Sequence, residues 1–323
     1  MNKELYPLKF HPILKSKIWG GSKLRTILNK PTDKSDIGES WEISDVEGDT
    51  SIISNGKFAG QSLKHLLSTY GPKLVGEKNY KIFGDKFPLL IKFIDAKSDL
   101  SIQLHPNDEL ASKRHNSFGK TEMWYVMQAD DESNLIVGFN DKITPEIYLE
   151  HLENKSLPDI LNFDNVTEGD TYFIEVGRVH AIGAGILLAE IQQTSDITYR
   201  VYDWDRVDAE GNSRELHNDL AIDAINFDMP DDFRKDYRKV ANTANSMVKC
   251  GYFSTQFLPI SGSYHKENTH DSFLIYMCVG GEAVLNYNDE EYTLSYGESV
   301  LIPASIKSFK IVSQNAKLLE VYV

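Results

Sequence analysis

Four side chains of complementary chemistry lie on separate segments of the chain and form a candidate metal site. They are Gln103, His105, Glu122 and His180. Nitrogen and oxygen ligands without a thiolate are the set expected of a divalent metal in a catalytic site. The residue types therefore predict one divalent metal, with Gln103 as the weaker fourth ligand.

The segments that carry these residues have the alternation of strands. Polar residues at every second place put Gln103 and His105 on one face of residues 101–105, and Lys120 and Glu122 on one face of residues 120–126. Ligands that several strands bring to one concave face indicate an open site inside a β-barrel. Each residue alone also fits an ordinary role, as a strand-ending histidine, a solvated glutamate or a loop histidine. We favour the metal site because the set occurs together.

Composition sets limits on function. The chain has 323 residues, 41% hydrophobic and 25% charged, which is typical of a globular protein larger than one average domain. Its net charge of −14 argues against non-specific nucleic-acid binding, and an anionic substrate would need cations built into its site.

The cysteine content and the hydropathy of the chain predict the cellular compartment of the protein. The two cysteines, Cys250 and Cys278, form no spaced framework, which fits a reducing environment. The N-terminal residues 1–7 lack the apolar run of a signal peptide, and no stretch is apolar enough to span a membrane. We therefore expect a soluble, cytoplasmic protein with no membrane partner.

Short runs rich in β-branched and aromatic residues predict an all-β dominated fold of antiparallel barrels, with helical insertions in the N-terminal half. The predicted strands there are 41–43, 51–54, 87–94, 101–105, 122–128, 134–138, 171–175, 186–192 and 198–204. Three helices are predicted: 62–70 ending before Gly71-Pro72, one beginning at Thr144-Pro145, and one capped by Asn218 and running to 227.

A second unit follows a change in composition at 228–245, where charged and small polar residues replace apolar alternation. The strands predicted beyond it are 273–279, 282–287, 291–294, 299–302 and 317–323. We predict a catalytic domain over 1–244 and a smaller barrel over 245–323. Upstream that barrel offers only His265 and His270, and the strand after them, 273–277, supplies no carboxylate, so we predict that it holds no metal.

Longer motifs resemble a known family. Residues 168–180, a Gly-Asp turn, a strand and a turn presenting His180, resemble the second cupin motif. The segments IWGG at 18–21, GESWEIS at 38–44, PLLIKFIDA at 88–96, QLHPND at 103–108, GKTEMWY at 119–125 and EIQQTSDITYRVYD at 190–203 occur in the order found in type I mannose-6-phosphate isomerases of the short bacterial kind.

This resemblance implies a double-cupin fold and the zinc-dependent interconversion of mannose 6-phosphate and fructose 6-phosphate through a cis-enediol(ate). It also implies that the zinc ligands are Gln103, His105, Glu122 and His180, and that Arg200 is the catalytic arginine. The chain departs from the pattern at Val176, where cupins often have proline, and at Arg178, where a small or hydroxyl residue is common.

Arg200 and Lys92 are the cations best placed for a role in the pocket. Arg200 alternates with apolar neighbours, as a strand residue that points into a cavity does. The alternative is a surface arginine paired with Asp203 or Asp205. Lys92 is the one charged residue in the apolar run 89–94, so it lies either at an exposed edge or in the pocket. We favour the pocket, with Lys92 binding phosphate or a sugar hydroxyl.

Two further residues are predicted near the metal. Lys120 shares a face with Glu122 and is a candidate for proton transfer. Ser101, two residues before Gln103 on the same face, is predicted to contact phosphate or a hydroxyl. Trp19 and Trp41 are interpreted as core residues and left out of the site.

Two other functions fit part of this pattern. Cupins also include iron or manganese oxygenases with similar ligands, and a sugar-binding regulator would keep the pocket without turnover. The ordered motifs argue against the first alternative, and the ligand set together with Arg200 argues against the second. The oligomeric state is not predicted.

Overall fold

The architecture is mostly β, in two barrels. A computed structural model describes residues 4–208, 210–228 and 233–323. Residues 1–3 of the N-terminal segment, and 229–232 within the composition change at 228–245, lie outside the described residues. Among the described residues, no helix combines the length and apolar character that crossing a bilayer requires.

The first barrel consists of strands connected by longer insertions. Its strands are β1 (Ile13–Gly21), β2 (Ile37–Ile43), β3 (Asp45–Val46), β4 (Asp49–Thr50), β5 (Leu89–Ala96), β6 (Ile102–Leu104), β7 (Glu122–Ala129), β8 (Asn134–Phe139), β9 (Leu161–Asn165), β10 (Thr171–Ile174), β11 (His180–Ile182), β12 (Ile186–Gln193) and β13 (Tyr199–Tyr202). The α-helices are α1 (Lys23–Thr26), α2 (Leu63–Tyr70), α3 (Pro72–Val75), α4 (Glu77–Phe83), α5 (Asp108–His115), α6 (Pro145–Glu153) and α7 (Asn218–Ala221). Short 3₁₀ turns occur at Gly56–Phe58 and Leu157–Ile160.

Two antiparallel sheets form this barrel. One has the order β1-β2-β5-β12-β7-β10, and the other has the order β13-β6-β11-β8-β9. Trp124 and Leu188 from the first sheet, with Val137 and Ile182 from the second, belong to one buried cluster between them. Burial of apolar side chains from both sheets therefore holds the barrel closed around its interior.

The second barrel contains β14 (Asn245–Lys249), β15 (Ser254–Glu267), β16 (Leu274–Gly280), β17 (Glu282–Tyr287), β18 (Glu290–Ser295), β19 (Ser299–Ile302) and β20 (Ser308–Tyr322). Its main order is β14-β15-β20-β16-β19, and the β17–β18 hairpin also pairs with β20. The prediction of a mostly β fold with helical insertions in the N-terminal half is confirmed.

The two barrels share a large apolar core. One buried cluster includes Leu66 and Leu74 from the helical insertion, Leu89 from the first sheet, and Phe273 and Leu301 from the second barrel. The Ala304 amide donates to the Leu74 carbonyl at 2.9 Å, and Leu8 forms a β-bridge with Leu301. The N-terminal segment thus contacts the second barrel, while the partition at residue 244 stays a prediction.

The histidines of the second barrel lie apart. His265 is exposed and contacts Glu267 at 2.7 Å, whereas the His270 ring stacks on Tyr322 with centroids 4.0 Å apart. That this barrel holds no metal stays a prediction.

Several local predictions are confirmed and others are wrong. Ser62 caps α2 by accepting a hydrogen bond from the His65 amide, and Thr144 caps α6. The predicted strand 51–54 forms only isolated bridges at Ile52 and Ile53, because single residues of neighbouring loops pair with it rather than a strand.

The third predicted helix is also wrong in its bounds. It is capped at His217 and ends at Ala221. The chain then turns because the Asn226 amide donates to the Gly177 carbonyl at 2.8 Å, which fixes the following segment against the turn before His180. Gly177 has φ +79°, and a Cβ there would lie 2.4 Å from the Ala224 carbonyl oxygen. This close approach requires glycine.

Candidate active site

A cavity of about 330 Å³ lies inside the first barrel. Strand register places its polar side chains in two rows. On the first sheet, the cross-strand neighbours are Trp41, Lys92, Glu190 and Trp124. On the second sheet, they are His180, Gln103 and Arg200. All seven side chains line the cavity.

The predicted ligands His105, Glu122 and His180 lie together beside this cavity, which His180 lines. Their ligand atoms lie within 4.8 Å of one another, and all three residues are buried. Each imidazole Nε2 is 3.5 Å from a different oxygen of the Glu122 carboxylate. The edge of Trp124 packs on His180, with ring centroids 5.3 Å apart.

Backbone carbonyls orient both imidazoles. His105 Nδ1 lies 2.9 Å from the Ile197 carbonyl oxygen, and His180 Nδ1 lies 2.8 Å from that of Arg178. A carbonyl only accepts, so each Nδ1 must carry the proton. The unprotonated Nε2 atoms are therefore the ones that face Glu122, as in metal sites whose outer hydrogen bonds set the tautomer.

The charge state of the cluster suits a cation. Burial, reinforced by the charge of Lys120, lowers the pKa of His180 to about 3, and the same causes hold the pKa of His105 well below its ordinary value. Burial, followed by repulsion from Glu190, raises the pKa of Glu122 to about 7. Among the described residues, Glu122 Oε1 and His180 Nε2 have no hydrogen-bond partner. Buried polar atoms of this kind are costly unless a ligand satisfies them. The residues therefore fit a divalent metal.

Lys120 lies directly beside the cluster. Its Nζ is 2.9 Å from Glu122 Oε2 and 3.0 Å from His105 Nε2. It is buried and lines the cavity. The structure therefore brings the predicted proton-transfer residue next to two of the predicted ligands, Glu122 and His105.

Lys92 lines the cavity but has carboxylate partners. Its Nζ lies 3.0 Å from Glu190 and 4.0 Å from Glu39. Burial alone would lower the pKa of Lys92, but the charges of Glu190 and Glu39 outweigh it and raise the pKa. The exposed-edge alternative does not hold because Lys92 is buried. Its predicted contact with substrate stays a prediction.

In the second row Gln103 lies between His180 and Arg200, and Ser101 contacts both Gln103 and Arg200. Arg200 Nε donates to Ser101 Oγ at 3.3 Å, and Nη1 donates to the Glu215 carbonyl at 2.8 Å. Ser101 Oγ donates to Gln103 Oε1 at 3.3 Å. The alternative pairing of Arg200 with Asp203 is not observed, because Arg206 and Arg214 bind that carboxylate.

Sequence reasoning missed several cavity residues. Glu190 and Glu39 were not singled out, although a lone glutamate in the apolar run 186–191 is as conspicuous as Lys92. Glu190 also accepts a hydrogen bond from Trp124 Nε1 at 2.9 Å. Trp19 and Trp41 are buried as expected, but they also line the cavity.

Arg178, where the sequence departs from the family pattern, has a local structural role. Its Nη1 donates to the Asp228 carbonyl at 2.7 Å, and its own carbonyl accepts from His180. The side chain therefore ties the turn that presents His180 to a distant segment.

Comparison with known proteins agrees with this geometry. Residues 7–136 match the family model for the catalytic domain of phosphomannose isomerase type I, and residues 243–323 match that for the cupin domain of mannose-6-phosphate isomerase. The chain is 35% identical to mannose-6-phosphate isomerase ManA of Bacillus subtilis over 94% of this chain and 95% of that protein. It is 32% identical to mannose-6-phosphate isomerase of Streptococcus mutans over 94% of each.

The solved structures give the same result. The crystal structure of mannose 6-phosphate isomerase from Bacillus subtilis superimposes with a TM-score of 0.88 at 31% identity, covering 98% of this chain and 99% of that one. The expected cupin fold is confirmed by this overlap and by the match to the cupin domain.

Proposed function

Because the chain belongs to the type I mannose-6-phosphate isomerase family, we propose that it interconverts mannose 6-phosphate and fructose 6-phosphate through a cis-enediol(ate). The observation that carries the finer proposal is the buried cluster of His105, Glu122 and His180, whose ligand atoms lie within 4.8 Å of one another next to Lys120. Arg200 lines the adjoining cavity.

We propose that the cofactor is Zn²⁺, held by His105, Glu122 and His180 with Gln103 as a fourth ligand. The absence of a thiolate supports this choice, as do the two unprotonated Nε2 atoms, of which that of His180 has no hydrogen-bond partner among the described residues. Bound there, the metal would polarise the substrate carbonyl and stabilise negative charge on its oxygens without redox chemistry.

The reaction moves a proton between two neighbouring carbons of the substrate, and residues of the chain stabilise the charge and transfer the proton. Negative charge develops on two adjacent oxygens of the substrate, and the Arg200 guanidinium supplies a positive charge that does not titrate at working pH. Lys120 Nζ holds protons next to Glu122 and His105 and is the proposed proton-transfer group. The buried aromatic walls at Trp41 and Trp124 limit access of water, which strengthens these charge interactions.

A coupled assay for fructose 6-phosphate formation tests the proposal. We expect turnover of mannose 6-phosphate that a chelator abolishes and Zn²⁺ restores, with about one zinc bound per chain by metal analysis. His105→Ala should lose both the metal and the activity, whereas most of the fold should remain.

The same assay separates the other functions. A sugar-binding regulator would bind the phosphosugar without turnover, and an oxygenase would consume oxygen. Metal-free protein with full activity, or full zinc occupancy in His105→Ala, would overturn the ligand assignment.

A further inference from the structure

We propose that Arg214 is the anchor for the substrate's phosphate group, at the end of the cavity opposite the metal cluster. This inference rests on the proposed function, since it assigns one end of the same substrate. Arg214 belongs to none of the motifs from which the site was predicted.

The first argument is the charge balance inside the cavity. Three of its lysines are neutralised by carboxylates: Lys17 by Glu39 at 3.1 Å, Lys92 by Glu190 at 3.0 Å and Lys120 by Glu122 at 2.9 Å. None of these ammonium groups offers a free charge to a dianion without first losing its partner.

The arginine end is different. Arg206 and Arg214 share one buried carboxylate, that of Asp203, and Arg200 has no carboxylate partner within the described residues. Burial and then the charge of Arg214 lower the pKa of Arg200, as expected when two guanidinium groups face one site. The nearby Glu215 side chain is 83% exposed, and Asp196 lies at the exposed rim, so solvent screens both. In a chain of net charge −14, this local excess of positive charge favours an anion.

The second argument is how Arg214 is held. A bridge between Val207 and Ser213 brings Arg206 and Arg214 to the same side of a turn. Arg214 Nε and Nη2 donate to the two Asp203 oxygens at 2.7 and 2.5 Å. This bidentate contact fixes the plane of the guanidinium, and Nη1 has no hydrogen-bond partner among the described residues. A preoriented fork with a free donor is suited to binding phosphate oxygens.

The third argument is position along the cavity. His180, Gln103 and Arg200 follow one another across three neighbouring strands, from the metal cluster outwards. Adjacent strands are about 4.8 Å apart, so the backbone of Arg200 lies roughly 10 Å from that of His180, and Arg214 borders the same cavity as Arg200. An open-chain hexose phosphate placed with its carbonyl carbons at the metal cluster extends its phosphate past Arg200 towards Arg214.

Binding of an open-chain hexitol 6-phosphate tests the inference. This compound has no carbonyl group to isomerise, so its binding is measured by calorimetry on the zinc-loaded protein, separately from turnover. We expect Arg214→Gln to weaken hexitol 6-phosphate binding by at least about tenfold, the loss typical of a charged hydrogen-bonded contact. Asp203 keeps Arg206 as a partner in this variant, so no buried carboxylate is orphaned. The KM for mannose 6-phosphate should rise more than kcat falls.

Two further variants complete the test. Arg214→Lys keeps the charge but loses the fork, so we expect partial recovery of binding, and it replaces Arg214→Gln if that variant does not fold. Arg234→Gln removes an ion-paired arginine outside the cavity, one that contacts Asp164 at 2.8 Å, and should bind the phosphate like the native protein.

The outcomes separate the two proposals. If Arg214→Gln folds and binds hexitol 6-phosphate with native affinity, the role of Arg214 is overturned. The isomerase assignment stays intact in that case, provided that the native protein turns over mannose 6-phosphate. Loss of affinity in Arg214→Gln, combined with no turnover by the native protein, supports Arg214 and overturns the isomerase assignment.

Discussion

Glu122 and Glu190 are buried carboxylates of the same cavity, yet their pKa values shift in opposite directions. Burial raises the pKa of Glu122 to about 7, with repulsion from Glu190 adding to it. Burial opposes the charged form of Glu190 as well, but Lys92 and Lys120 outweigh it and lower the pKa. Glu190 therefore stabilises the fold as an anion, while Glu122 is an anion that the metal-free fold tolerates poorly.

Glutamine at each position should reveal this difference. Folding favours protonated Glu122, so the stability of the metal-free native protein falls as pH rises from about 4.5 to about 7. Glu122→Gln avoids this loss and should become more stable than the native protein across that window, by up to roughly 3 kcal/mol.

Glu190→Gln is the matched control. It leaves Lys92 without its closest partner and should cost about 3–5 kcal/mol at neutral pH. Denaturant unfolding of chelator-treated protein between pH 4.5 and 8 measures both effects. A stability difference between Glu122→Gln and the native protein that does not change with pH would contradict the assignment.

Arg200 should act on the transition state more than on substrate binding. Its replacement by alanine removes a preoriented charge, so we expect kcat to fall at least about 10²-fold with a smaller change in KM. Arg200→Lys should recover only part of the rate because lysine lacks the planar fork. Steady-state kinetics distinguishes the two roles, and near-normal kcat in Arg200→Ala would make the arginine merely structural.

At the scale of elements, α5 connects the two sides of the metal cluster. It lies between His105 and Lys120, and its first residue, Asp108, joins three parts of the molecule. The Asp108 carboxylate accepts hydrogen bonds from the Gly119 amide at 2.8 Å, from Gln193 Nε2 at 3.0 Å and from Tyr252 Oη at 2.6 Å. The position of Lys120 therefore depends on this carboxylate.

Asp108→Ala should lower both stability and activity. Loss of three hydrogen bonds is expected to cost about 2–4 kcal/mol, and kcat should fall because Gly119 and Lys120 are no longer held, while zinc content stays close to native. Asn107→Ala is the comparison, since it removes only the helix cap and should cost about 1 kcal/mol. Equal losses in the two variants, measured by denaturation and by the coupled assay, would show that Asp108 acts only as part of the helix.

The sequence predicted what depends on local periodicity. Period-two alternation correctly placed Lys120 beside Glu122, because side chains of a strand alternate between faces. The lone Glu190 in an apolar run is a local signal, but its pairing with Lys92 on a neighbouring strand is contained in no local pattern. The helix α5 was missed for a related reason, since few of its residues are apolar and long-range contacts of Asp108 fix it.

For the whole molecule, the second barrel should support the first without taking part in the reaction. Phe273 and Leu301 bury their side chains in the core that the helical insertion and the first sheet also use. Deletion of residues 245–323 should therefore expose this core and give insoluble or inactive protein. A soluble, fully active fragment would contradict this view.

The two histidines of that barrel provide a milder test. Replacing His265 and His270 together with alanine should leave zinc content and kcat unchanged, because one ring is exposed and the other stacks on Tyr322. Metal analysis and the coupled assay check this expectation, and loss of a metal would reveal a second site.

The pairing of the N-terminal segment with the second barrel has a consequence for synthesis on the ribosome. Lys9 Nζ bonds to the Thr293 carbonyl, 284 residues further along the chain, next to the bridge between Leu8 and Leu301. Leu8 and Lys9 are thus synthesised long before their native neighbours in the second barrel. Contacts between residues this far apart in sequence slow folding, and apolar surface stays exposed until both segments are present. The apolar surface that packs on Phe273 and Leu301 in the native protein stays exposed until translation reaches the second barrel, a period in which a holding chaperone would have the most to protect.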